Sequence, residues 1–121
     1  MSKKILTVDD SVTILKMLSL TLTQAGFQVT QAEDGVAALE TLQSDAPDLV
    51  VTDINMPRLD GFGLIERIRR DQRYRGLPIL VLTTESDAQK KERARKAGAT
   101  GWIVKPFDPG KLVDAIARVT A

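Results

Sequence analysis

The chain has 121 residues, 43% of them hydrophobic, which suits one domain spanning 1–121 with its own apolar core. It holds no Cys, which rules out disulfides and thiolate metal sites and favours a cytoplasmic protein, and no His, so any chemistry must run on carboxylates, Lys, Thr, Ser or backbone groups. With 17 Lys plus Arg against 16 Asp plus Glu there is no charge footprint for nucleic acid, and no apolar stretch suits a signal peptide or a membrane span.

The first strand is predicted at Lys4 to Val8. A helix follows in which Ile14, Leu18, Thr21, Leu22 and Ala25 form one stripe before Gly26 ends it. A second strand at Gln28 to Ala32 leads to Asp34-Gly35, a start signal for a helix from Val36 to Gln43 with Val36, Leu39 and Leu42 inward. The third strand, Leu49 to Thr52, and the fourth, Ile79 to Thr83, are almost wholly apolar, as expected of strands covered on both faces. Between them a helix from about Phe62 to Asp71 buries Leu64, Ile65 and Ile68.

The next helix, near Asp87 to Ala97, carries Lys90, Lys91, Glu92, Arg93, Arg95 and Lys96, leaving only alanines to pack; it should be weakly anchored and free to shift. A fifth strand at Gly101 to Val104 and a last helix complete the pattern. That helix is capped by Asp108, opened by Pro109, and lined by Leu112, Val113, Ile116 and Val119. Strands alternating with helices call for parallel pairing with helices on both faces, a doubly wound α/β sheet whose ligands lie beyond the carboxyl ends of the strands.

Polar groups gather at those ends: Asp9 and Asp10 after the first strand, Asp53 after the third, Thr83 on the fourth, Lys105-Pro106 after the fifth. Singly, each has a plain reading as a cap, a turn residue or a solvated charge. Together they crowd three carboxylates, and like charges ~4 Å apart repel by about 4 kcal/mol at an effective dielectric of ~20, so the cluster requires a cation or a protonated member. All-oxygen ligands select a hard ion, and Mg²⁺ fits. One screened carboxylate then acts as a nucleophile toward phosphorus while the metal, Lys and Thr neutralise the phosphoryl oxygens, and Asp53, alone at its strand end, is the best candidate.

The residues Val8-Asp9-Asp10-Ser11, Asp53-Ile54-Asn55-Met56-Pro57 with Asp60-Gly61, Leu82-Thr83-Thr84-Glu85 and Val104-Lys105-Pro106-Phe107 resemble the receiver domains of two-component response regulators, specifically the stand-alone chemotaxis CheY type. The resemblance covers essentially the whole chain. It implies a flavodoxin-like five-stranded parallel sheet of order 2-1-3-4-5 with five helices. It makes Asp53 the phospho-acceptor, Asp9 and Asp10 the acidic pair that holds Mg²⁺ with Asp10 as direct ligand, and the Asn55 backbone carbonyl a further ligand. Thr83 becomes the hydroxyl that moves toward the phosphoryl group, Lys105 the ammonium that pairs with it, and the Lys105-Pro106 peptide is implied to be cis.

The resemblance also implies an aromatic on the fifth strand that turns inward on activation. Trp102 stands there where relatives have Tyr or Phe, and the competing reading is a half-buried indole packed against the fourth helix. Thr84 replaces a smaller residue beside the opening. Asn55 and Glu85 flank that opening, where they would set the dephosphorylation rate.

The implied partners are a histidine kinase of the chemotaxis CheA type, the flagellar motor switch and a phosphatase, met by a monomer through its fourth helix, fifth strand and fifth helix. The chain would not be a conventional turnover enzyme. Other readings are a phosphate sink, a receiver of a non-chemotaxis pathway, a flavodoxin-like cofactor binder and a metal-dependent phosphatase. Asp9 and Asp10 would repel a flavin phosphate, and short loops leave no lid for the phosphatase.

Overall fold

The computed structural model describes residues 2–120. Five strands, β1 (Lys4–Val8), β2 (Gln28–Ala32), β3 (Leu49–Thr52), β4 (Ile79–Thr83) and β5 (Gly101–Val104), alternate with five helices, α1 (Val12–Gln24), α2 (Gly35–Ser44), α3 (Gly61–Arg70), α4 (Ala88–Ala97) and α5 (Pro109–Val119). The strands make one parallel sheet of order β2-β1-β3-β4-β5, the flavodoxin-like arrangement expected. The chain runs from β1 outward to β2 and then crosses to β3 on the other side of β1. The order therefore reverses between β1 and β3, and a crevice opens beyond their carboxyl ends.

Alternation along each strand divides the core in two. Ile5, Leu49, Val51, Leu80 and Leu82 meet Leu18 and Leu22 of α1 and Leu112 and Ile116 of α5. On the other face Leu6, Val8, Val50, Ile79 and Val81 meet Ala38 and Leu42 of α2, Leu64, Ile65 and Ile68 of α3, and Ala94 of α4. Every residue of β3 and β4 is buried, which accounts for their unbroken apolar sequence.

The helices obey their caps. Ser11, Asp34, Asp60, Asp87 and Asp108 each accept a hydrogen bond from a backbone amide in the first turn of α1 to α5, each worth about 1 kcal/mol. The inward residues differ in detail from the sequence pattern. In α1 Leu15 is buried and Ala25 is exposed, because Ala25 is already the C-cap and the chain leaves through Gly26 at φ +95°. In α2 Ala38 is fully buried whereas Val36 and Leu39 are half-buried, because the inward face of the helix runs through Ala38 and Leu42, four residues apart. A short 3-10 turn at Gln72–Tyr74, absent from the sequence reading, follows α3 because the Asp71 side chain takes the Arg73 amide and ends the helix.

Ala94 is the one buried residue of α4. So small a buried face gives α4 little hold on the sheet. In native-state hydrogen exchange, the α4 amides should be the least protected of the five helices, while those of β3 and β4 exchange only on global unfolding; equal protection of α3 and α4 would contradict this.

Candidate functional site

The sheet ladder runs one residue past the strands and sets the site. The Asp9 amide donates to the Ala32 carbonyl at 3.1 Å, the Asp53 amide to Val8 at 2.9 Å and the Lys105 amide to Thr83 at 2.8 Å. Because Val8 pairs with Thr52, Asp9 and Asp53 become neighbours at the switch point. Carboxylate oxygens of Asp9, Asp10 and Asp53 all lie within 4.8 Å of one another. Asp9 is 2% and Asp53 8% exposed, while Asp10 faces solvent.

Lys105 reaches into this cluster, its Nζ donating to Asp9 Oδ2 at 2.6 Å and to Asp53 Oδ2 at 3.2 Å. The Lys105-Pro106 peptide is cis, as implied. Burial pushes the Asp9 carboxyl above its ordinary value, although the Lys105 hydrogen bond and the Ser11 amide pull the other way. For Lys105 burial favours the neutral amine, but the Asp9 hydrogen bond and the charges of Asp53 and Asp9 outweigh it and raise its pKa. One ammonium therefore serves two carboxylates, and a third stands beside them in water. The donor set is oxygen only, compact and open on the Asp10 side, which is compatible with a hard cation.

Gly61 permits this geometry. Its amide donates to the Ile54 carbonyl at 2.8 Å, and a Cβ there would fall 2.3 Å from the Asp53 carbonyl oxygen. Asp53 Oδ1 also accepts from the Ile54 amide at 2.7 Å, which orients the carboxylate.

Thr83 is fully buried at the end of β4, and its Oγ1 accepts from the Glu85 amide at 3.3 Å. The carbonyl of Glu85 accepts from Trp102 Nε1 at 3.2 Å, and its carboxylate pairs with Lys90 of α4 at 3.0 Å. One residue thus connects Thr83, Trp102 and α4. Trp102 is half-buried against the α2–α4 side of the core and lines a cavity of about 220 Å³ with Ala88, Ala94 and Arg95 of α4. The half-buried reading describes this geometry. Thr84 and Asn55 are exposed, so neither is part of the buried cluster.

Residues 5–117 match the family model of the response regulator receiver domain. The chain is 40% identical to chemotaxis protein CheY1 of Helicobacter pylori over 118 residues, covering 96% of this chain and 95% of that protein. Its fold superposes on the solved structure of Vibrio cholerae chemotaxis protein CheY4 with a TM-score of 0.94 at 43% identity, covering 98% of this chain and 99% of that one. The chain belongs to the response regulator receiver family. Receivers also occur within larger proteins: the chain is 36% identical to the DNA-binding dual master transcriptional regulator RpaA of Synechocystis, of which it spans 48%. Among the described residues, no helix is long and apolar enough to cross a membrane.

One pair in this receiver escaped the sequence reading, which treated Asp34 only as a helix start. Arg58 donates from Nε to Asp34 Oδ2 at 2.7 Å and from Nη2 to Asp34 Oδ1 at 3.0 Å. Arg58 has φ +65°, and the Leu59 amide donates to the Pro57 carbonyl at 2.7 Å. This is a γ-turn of the rare, strained kind, a conformation that costs of order 1–3 kcal/mol. Only a glycine or Asn at that position would have signalled it.

Removing Lys105 leaves Asp9 buried beside Asp53 without its counter-charge. Lys105→Ala should cost about 3 kcal/mol of stability at pH 7, as for a buried pair that loses one partner; urea unfolding under chelating conditions measures it, and an unchanged midpoint would contradict it. The Arg58 hydrogen bonds hold the Asp34 carboxyl below its ordinary value of 3.8. A carboxylate so lowered adds stability that is complete above that value and is lost as pH falls through the folded one. Arg58→Ala should therefore match the parent least at neutral pH and converge on it in strong acid, in a comparison of urea midpoints across pH.

Proposed function

We propose that this receiver is a phospho-acceptor signalling protein that takes one phosphoryl group on Asp53 in a Mg²⁺-dependent reaction. The observation that carries the reading is the convergence of Asp9, Asp10, Asp53 and Lys105 on one crevice, with Thr83 at the neighbouring strand end. Asp9, Asp10, Asp53 and the Asn55 carbonyl would hold the metal. When bound, Mg²⁺ supplies the positive charge that offsets the clustered carboxylates and the phosphoryl oxygens.

The chain's own groups account for the transfer. Asp53 is the nucleophile: a carboxylate oxygen forms a bond to phosphorus as the bond from phosphorus to the donor breaks, and the leaving group departs with the electron pair. Lys105, already 3.2 Å from Asp53, stays close to pair with the new oxyanions. The Thr83 hydroxyl turns toward the phosphoryl group and gives up the Glu85 amide. Glu85 then shifts, and with it the Trp102 indole and Lys90 that it holds. Poorly anchored α4 is the element whose population moves. Thr84, Asn55 and Glu85 border the opening and govern access of water to the acyl phosphate. The chain acts on itself and turns over no other substrate.

The donor is a histidine kinase of the chemotaxis type and the reader is the flagellar motor switch, a reading supported by near full-length similarity to CheY1 and CheY4. A small phosphodonor with Mg²⁺ should add one phosphoryl mass to the parent and none to Asp53→Asn, and chelation should abolish the gain. Equal labelling of both proteins would refute the acceptor assignment. Binding of a motor-switch peptide should tighten on treatment with a phosphoryl mimic; no tightening would favour a phosphate sink.

A further inference from the structure

The loop from Ile54 to Asp60 must carry Asn55 at one end and deliver Asp60 as the cap of α3 at the other. Three contacts fix its path. The Gly61 amide returns to the Ile54 carbonyl at 2.8 Å, the Leu59 carbonyl accepts from the Gly35 amide at 3.2 Å, and the Arg58 guanidinium grips both oxygens of Asp34. The last two both tie the loop to the start of α2. The anchor is stiff: Asp34 is 6% exposed and its Oδ1 also accepts from the Ala37 amide at 2.9 Å. The Arg58 side chain is 59% exposed. It fills no core, so its role lies in the two bonds it makes. Glu33 and Glu40 add to the negative field around it, and Lys16 shares the cleft that it lines.

A strained turn at a non-glycine residue persists only where its surroundings over-determine it. Glycine or Asn would adopt φ +65° more readily, so the position holds Arg for its guanidinium. The ion pair joins the loop that follows Asp53 to a separate helix 24 residues away in sequence.

We propose that Arg58 and Asp34 are positioning residues that lock the loop after Asp53, hold the Asn55 carbonyl where it serves the metal, and so set Mg²⁺ affinity. The inference rests on the metal reading given under Proposed function. Neither residue touches the cluster. They act through the backbone between Arg58 and Asn55, as outer partners of a metal site commonly act through its ligands.

The test is a calorimetric titration of the whole chain with MgCl₂, comparing the parent with Asp34→Asn, Arg58→Gly and the double variant. Asp34→Asn keeps an oxygen for the Ala37 amide but loses the charge, and Arg58→Gly removes the guanidinium and relieves the turn. Each single variant should bind Mg²⁺ about tenfold more weakly. The double variant should lose no more than either single one, because all three break the same pair. Far-ultraviolet circular dichroism confirms that each variant is folded. Parent-like Mg²⁺ affinity in folded Arg58→Gly, or losses that add in the double variant, would overturn the positioning role alone. Failure of the parent itself to bind Mg²⁺ would overturn the metal reading and this inference with it.

Discussion

The Lys105 ammonium, set between Asp9 and Asp53, is the interaction on which the rest of the site depends. Two nearly buried carboxylates cannot lie side by side without a counter-charge, and the sheet register brings them together regardless. Lys105 resolves the conflict only in part, since a third carboxylate, Asp10, stands beside the pair. The molecule thus holds a surplus of negative charge at one point, which is compatible with a further cation there. Folding and chemistry pull against each other at this crevice, as expected where local consistency is given up for function.

Much of this was legible in the sequence because two simple rules govern it. Strand periodicity and the parallel-sheet rule located every strand, and with the strands came the ends that carry Asp9, Asp53, Thr83 and Lys105. What escaped were features decided by a neighbouring element. Ala38 is buried more deeply than Val36 because the inward face of α2 is set by the sheet and α3 residues it packs against, which no periodicity within α2 records. The Arg58–Asp34 pair joins residues far apart in sequence through a turn whose φ is unusual for Arg, so neither residue advertises the other. The bond from Trp102 to the Glu85 carbonyl likewise joins β5 to the loop after β4 across 17 residues of sequence.

That bond bears on what the indole of Trp102 does on β5. An indole donates through a nitrogen set in the ring, so its hydrogen bond and its packing cannot be separated by a simple rotation of a hydroxyl. Trp102 is tied through the Glu85 carbonyl to the same residue whose amide Thr83 holds, so the two bonds flank one α-carbon.

The sheet divides the core into two halves that share no side chains. The half under α1 and α5 is filled by large aliphatic residues, whereas the half containing α4 ends in alanines and a cavity beside Trp102. An α4 that moved as proposed would share no buried side chain with the half under α1 and α5. A protein that docks on α1 would meet the same shape before and after signalling, whereas one that docks on α4 would sense the state. Under the proposed function the partition would let one small domain offer two kinds of address, a fixed one for partners that must always find it and a variable one for those that read its message.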